Sequence, residues 1–153
     1  MYELSQRVIL LVEDNEDDEL MTLRAFRKSN IHNPVVVVRD GAEAIDYLFI
    51  QGRHAGRDPE IQPQIVLLDL HLPRIDGLEV LRRIRSDART RTLPVVILTS
   101  SKEERDLVDG YQLGVNSFVH KPVDVTDFFE SVRQLGMYWL VLNELPTQRK
   151  KNP

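Results

Sequence analysis

The chain has 153 residues, 42% hydrophobic and 29% charged, with a formal charge of −4; that suits one domain with a substantial core and is too short for two ordinary ones. It contains no cysteine, which excludes disulfides, thiolate catalysis and cysteine-ligated zinc. The acidic balance argues against a general nucleic-acid binder, because phosphates call for a basic footprint.

In chain order, the first element expected is a strand over Val8 to Val12, "VILLV". It ends in Glu13 and Asp14, with further acids at Glu16 to Glu19. The apolar run is far shorter than a membrane span and no small-residue cleavage site follows it, so a cytoplasmic protein with no membrane contact is expected. Leu20, Leu23 and Phe26 recur at helical spacing, and Asp17 and Asp18 read as solvated first-turn acids of that helix. A second strand over Val35 to Val38 is followed by a helix in "DGAEAIDYLF". The segment from Gln51 to Pro63 is rich in Gly, Pro and charge and reads as an exposed loop. A third strand, Ile65 to Leu70, precedes a helix carrying Leu78, Leu81 and Ile84. A fourth, Val95 to Ser100, precedes one carrying Leu107, Val108 and Tyr111. A fifth, "SFVH" from Ser117, precedes a long helix capped by Asp124 or Thr126 and expected to run through "MYWLVLNELP".

Runs apolar on both faces suit strands covered by helices on both sides. Five strand-then-helix units imply a three-layer α/β fold with right-handed crossovers, in which ligands collect at the carboxyl ends of the strands. Those ends carry Glu13 and Asp14, then Asp69, then Thr99 and Ser100, then Lys121 followed by Pro122. Three clustered carboxylates repel one another unless a cation compensates them. Oxygen-only ligands favour a hard ion, Mg²⁺. One carboxylate can then act as a nucleophile toward phosphorus, with Lys121 neutralising phosphoryl oxygens and Thr99 donating a hydrogen bond to one of them.

"LVEDN", "LLDLHLPRIDG", "ILTS" and "FVHKP", in that order at strand ends one, three, four and five, resemble the receiver domain of bacterial response regulators over roughly residues 7 to 135. The resemblance implies a doubly wound, flavodoxin-like (βα)5 fold with sheet order 2-1-3-4-5. It implies that Asp69 accepts a phosphoryl group from a sensor histidine kinase. Glu13, Asp14, Asp69 and the backbone carbonyl of His71 would hold Mg²⁺. Thr99 is the switch hydroxyl, Lys121 pairs with the phosphoryl group, and Phe118 is the aromatic that turns inward on activation. The family pattern also implies a cis Lys121–Pro122 bond. The resemblance implies, too, that His71 and Ser101, two beyond Asp69 and Thr99, would flank the incoming water and bear on the lifetime of the acyl phosphate.

Three rival readings are weaker. An EF-hand over Asp14, Glu16 and Asp18 would need Gly and Glu where Glu19 and Ala25 stand. A haloacid-dehalogenase-like phosphatase needs a second acid at the place of His71. A pseudo-receiver that only binds partners would have lost an acceptor, metal or lysine position, and none is lost. The four histidines share no metal-ligand spacing.

The long loop and the apolar end of the last helix resemble single-domain response regulators of cyanobacterial and bacterial phytochromes. That implies a phytochrome as the kinase and a homodimer through the last strand and helix, with Tyr138, Trp139, Val141 and Leu142 as interface candidates. Residues 1–145 are expected to form the receiver. Residues 146–153, with the basic "QRKK", read as a frayed tail too short for an output domain, so output is expected through contacts with an unknown downstream protein.

Overall fold

Each apolar run becomes a strand in the computed structural model, which describes residues 7–144. The strands are β1 (Ile9–Val12), β2 (Val35–Val38), β3 (Ile65–Leu68), β4 (Val95–Thr99) and β5 (Ser117–His120). They alternate with helices α1 (Glu16–Lys28), α2 (Gly41–Phe49), α3 (Gly77–Ser86), α4 (Glu104–Gln112) and α5 (Val125–Gly136). The sheet is wholly parallel, in the order β2-β1-β3-β4-β5, as expected from sequence. The tail from 146 onward lies outside the described residues.

Successive strand residues point to opposite faces, and the core divides accordingly. Leu10, Val12, Val66, Leu68, Val95 and Ile97 pack with Ala44, Ile45 and Leu48 of α2 and with Val80, Leu81 and Ile84 of α3. Ile9, Leu11, Ile65, Leu67, Val96 and Leu98 pack with Ala25 and Phe26 of α1 and Phe128 and Val132 of α5. With both faces covered, continuous apolar runs are what these strands require.

Side-chain caps fix four helix starts. Asn15, Asp40, Asp76 and Asp124 each accept a hydrogen bond from a first-turn amide of the helix that follows. The loop after α2 is exposed as expected, yet it is anchored: it opens with a 3-10 turn at Gly52–His54. Arg57 donates from Nε to the Tyr47 carbonyl at 2.9 Å and from its guanidinium to the Ile61 carbonyl, while stacking over the Tyr47 ring.

Two expectations are corrected. Lys121–Pro122 is trans, as are the other described peptide bonds; trans is the lower-energy isomer of an X-Pro bond by about 0.5–1 kcal/mol, and Lys121 reaches its carboxylate partners from it. The last helix does not run on as one α-helix: it ends at Gly136 and continues as a π-helical turn, Met137–Leu142. The wider turn brings the consecutive side chains Trp139 and Leu140 both into the core beside α1. Their backbone carbonyls accept hydrogen bonds from Gln64 Nε2 at 3.4 and 3.5 Å. Trp139 is therefore a core residue, removed from the interface candidates, while Tyr138, Val141 and Leu142 are exposed.

Candidate functional site

Register builds the site. Val12 pairs with Leu68, Leu68 with Ile97, and Thr99 with His120, so the next residue of each strand reaches one rim. Glu13 continues β1, Asp69 continues β3, Thr99 ends β4 and Lys121 follows β5. The Asp69 amide still donates to the Val12 carbonyl at 3.1 Å, and the Lys121 amide to the Thr99 carbonyl at 2.7 Å. These bonds hold the acceptor and the lysine to neighbouring strands after the ladder has ended.

Glu13, Asp69, Thr99 and Lys121 are buried, at 3%, 8%, 0% and 6% exposure, whereas Asp14 is exposed. Lys121 Nζ donates to Glu13 Oε2 at 2.6 Å, to Asp18 Oδ2 at 2.8 Å and to Asp69 Oδ2 at 3.1 Å. The other Asp69 oxygen, Oδ1, accepts from the Leu70 amide at 2.7 Å, and Glu13 Oε1 accepts from the Asn15 amide at 3.1 Å. These bonds leave the acceptor carboxylate fixed in orientation with one oxygen toward the ammonium.

One ammonium faces more negative charge than it can balance. Burial pushes the Glu13 carboxyl up to about 7, against the opposing pull of Lys121. Burial opposes charge on Lys121 as well, but its hydrogen bonds to Asp18 and Glu13 and the charge of Asp69 outweigh that and raise it above its ordinary value. The lysine is thus held cationic, and the surplus negative charge rests on the acids. Glu13, Asp14 and Asp69 each bring a carboxylate oxygen within 4.8 Å of the others. An all-oxygen set with unbalanced negative charge fits a hard divalent cation.

Asp18 was missed as a site residue. Sequence reasoning made it a solvated helix-opening charge, but its carboxylate hydrogen-bonds the lysine. The signal was present: Asp18 heads the stripe Thr22, Ala25 and Phe26, at helical spacings of four, seven and eight. Those three are buried, so Asp18 stands on the sheet-facing side of the first turn. Asp17 plays no part in the lysine's contacts.

The loop after β3 is shaped by Gly77. A Cβ there would collide with the Asp69 carbonyl oxygen, and the Gly77 amide donates to the Leu70 carbonyl at 2.9 Å. The imidazole of His71 is exposed, with Nε2 4.0 Å from Asp106 Oδ2. Phe118 is half-buried and packs against the α2–α3 side of the core, close to Gly110 of α4 and Ile97.

The response regulator receiver domain family matches residues 9–133 of this chain. The chain belongs to that family. The receiver is 40% identical over 139 residues to the probable methanogenesis regulatory protein FilR2 of Methanothrix harundinacea, covering 91% of this chain and 87% of that one. It is 36% identical over 140 residues to response regulator Rcp1 of Synechocystis, covering 92% and 93%. The structure of the Mn²⁺-bound form of Rcp1 superposes with a TM-score of 0.85 over 92% of this chain and 99% of that one, at 35% identity. The structure of the phosphorylated cyanobacterial phytochrome response regulator RcpA gives 0.86 over the same shares, at 38% identity. Receiver domains belong to two-component signalling rather than to metabolic catalysis, and they bind a divalent metal at this acidic cluster. No described helix is long and apolar enough to cross a membrane.

Proposed function

We propose that this receiver is a phosphorylation-controlled switch in which Asp69 takes a phosphoryl group from a sensor histidine kinase. The observation that carries the reading is the placement of Lys121 Nζ against Asp69, Glu13 and Asp18 beside a carboxylate trio suited to a cation. A carboxylate oxygen of Asp69 forms a bond to phosphorus as the phosphorus–nitrogen bond of the donor imidazole breaks, leaving an acyl phosphate. Mg²⁺, held by Glu13, Asp14, Asp69 and the His71 backbone carbonyl, would supply charge neutralisation for the phosphoryl oxygens. Lys121, freed in part from the acids, pairs with the new phosphoryl group. Thr99, whose hydroxyl oxygen accepts from the Ser101 amide at 3.2 Å, keeps its own proton to donate. Phe118 beside α4 then carries the change to the surface, a shift that needs differential contacts in two states and not a large motion.

Similarity to the phytochrome response regulator RcpA supports a phytochrome as the kinase, and the exposed Tyr138, Val141 and Leu142 support a homodimer through the last strand and helix. A phosphatase reading lacks the second acid, since His71 occupies that place. A pseudo-receiver reading has no missing position to stand on. Incubation with acetyl phosphate and Mg²⁺, read by intact mass, tests the proposal. Wild type gains one phosphoryl adduct, while Asp69→Asn or a chelator abolishes it. An adduct that survives in Asp69→Asn, or that forms without a divalent ion, overturns the assignment.

A further inference from the structure

One carboxylate outside the lysine's reach binds the loop that follows β4 and stands beside the loop that follows β3. Asp106 lies in the first turn of α4, and its Oδ2 accepts a hydrogen bond from Ser101 Oγ at 2.6 Å. The same oxygen stands 4.0 Å from His71 Nε2. Ser101 Oγ also accepts from the Glu103 amide at 3.3 Å, and the Ser101 amide donates to Thr99 Oγ1. Asp106 is therefore tied through one residue to the buried Thr99 hydroxyl and set close to the residue two beyond Asp69.

An acid in a first helical turn is favourable near the helix's positive end whatever else it does. That explains Glu104 and Asp106 equally. It does not explain why Glu104 is exposed while the Asp106 side chain is only 15% exposed and turned toward the loops.

We propose that Asp106 is a positioning residue that, through Ser101 and His71, sets how long the acyl phosphate on Asp69 survives. This rests on the phosphoryl-acceptor reading above. Hydrolysis of the adduct forms a bond from water oxygen to phosphorus and breaks the bond from phosphorus to the Asp69 oxygen. Inorganic phosphate leaves, the carboxylate is restored and the water's proton passes to solvent. The Ser101 hydroxyl proton is committed to Asp106, so the hydroxyl does not donate to an attacking water. The loop carrying Ser101 is bound to α4, and the imidazole stands beside the same acid. Without the carboxylate, Ser101 and its loop are released from α4, the imidazole loses its neighbouring acid, and water gains approach to phosphorus. The clasp also makes α4 the element whose position reports on the acceptor.

The experiment loads wild type and variants with acetyl phosphate and Mg²⁺, removes the donor, and follows the adduct by intact mass. One charge-assisted hydrogen bond corresponds to a rate effect of about tenfold or more, so Asp106→Ala shortens the adduct's lifetime by about that factor. Asp106→Asn, which keeps an acceptor for Ser101, falls between it and wild type. Ser101→Ala removes the hydroxyl while keeping Asp106 in the first turn of α4, and it serves if Asp106→Ala fails to fold. The double variant decays no faster than the faster single one, because both changes break the same link. Thermal midpoints recorded in parallel separate a general loosening, which would move stability and leave this non-additivity absent. Lifetimes equal to wild type, or single effects that multiply in the double variant, overturn the clasp while leaving Asp69 as acceptor. A wild-type protein that takes no phosphoryl group overturns both readings.

Discussion

Lys121 is the residue on which the site's charge balance depends. Its ammonium contacts three carboxylates at 2.6 to 3.1 Å while itself almost wholly buried. Removing one partner of a buried ion pair leaves charge uncompensated, at a cost of about 3–5 kcal/mol. Lys121→Met is therefore expected to lower stability in urea unfolding by about 3 kcal/mol in the absence of a divalent ion. Added Mg²⁺ should restore part of that loss, since a ligand that binds only the folded state stabilises it by mass action. A variant as stable as wild type without the ion would show that the carboxylates do not depend on the lysine. Asp18 differs from Glu13 because its side chain is 32% exposed and solvent screens it. Asp18→Asn is expected to cost about 1 kcal/mol or less, and to leave the phosphoryl adduct forming, as read by intact mass. The sequence made Glu13, Asp14, Asp69, Thr99 and Lys121 legible because each ends or follows an apolar run. Asp18 was missed because its role depends on which side of α1 faces the sheet, which only the stripe Thr22, Ala25 and Phe26 marks in the sequence.

At the scale of elements, the loops and the helix ends decide what the strands present. The loop from Asp69 to Gly77 folds back so closely that no side chain fits at its end: a Cβ on Gly77 would meet the backbone of both Asp69 and Leu70. Gly77→Ala must displace that backbone, and overpacking of this kind costs about 1–3 kcal/mol. The expected result is a lowered melting temperature together with a larger loss of phosphoryl transfer than the stability change alone explains, read as adduct yield well below the melting temperature. Normal adduct yield would show that the loop relaxes without moving the acceptor. The end of α5 was the least legible element. An apolar run around the whole helix circumference predicted a continuous helix with a partner face. The π turn instead places Trp139 and Leu140 side by side in the α1–α5 layer, where Gln64 meets their carbonyls. Period-3.6 reasoning cannot foresee a turn of different pitch. Truncating a buried Trp costs about 3–5 kcal/mol, so Trp139→Ala should destabilise the fold by an amount that Val141→Ala, at an exposed position, does not approach.

For the whole molecule, the acidic site and the exposed apolar end of the chain's last described segment lie on different elements. The carboxyl ends of the strands gather the acids and the lysine, while the turn after α5 leaves Met137, Tyr138, Val141 and Leu142 exposed. The β–α alternation was enough to give the layers, the parallel sheet and the rim where the site lies, because continuous apolar strands and crossover helices admit few other arrangements. It did not give the division of the final segment between core and surface, which depends on how α5 meets α1. That division now specifies the dimer test. Trp139 is excluded from it, because its loss would destabilise the core and lower association for an uninformative reason. Val141 and Leu142 are two-thirds exposed, at 67% and 66%, so charging them leaves the core untouched. If a second copy covers this surface, two acids in each chain meet across the symmetry axis and oppose association by burial of charge and by like-charge repulsion. Wild type is expected to sediment as a dimer, with Val141→Asp/Leu142→Asp weakening association by about a hundredfold or more, equivalent to about 2.8 kcal/mol. Its thermal midpoint, measured where both proteins are monomeric, should match wild type. A double variant that remains dimeric at wild-type strength would place the contact elsewhere on the molecule.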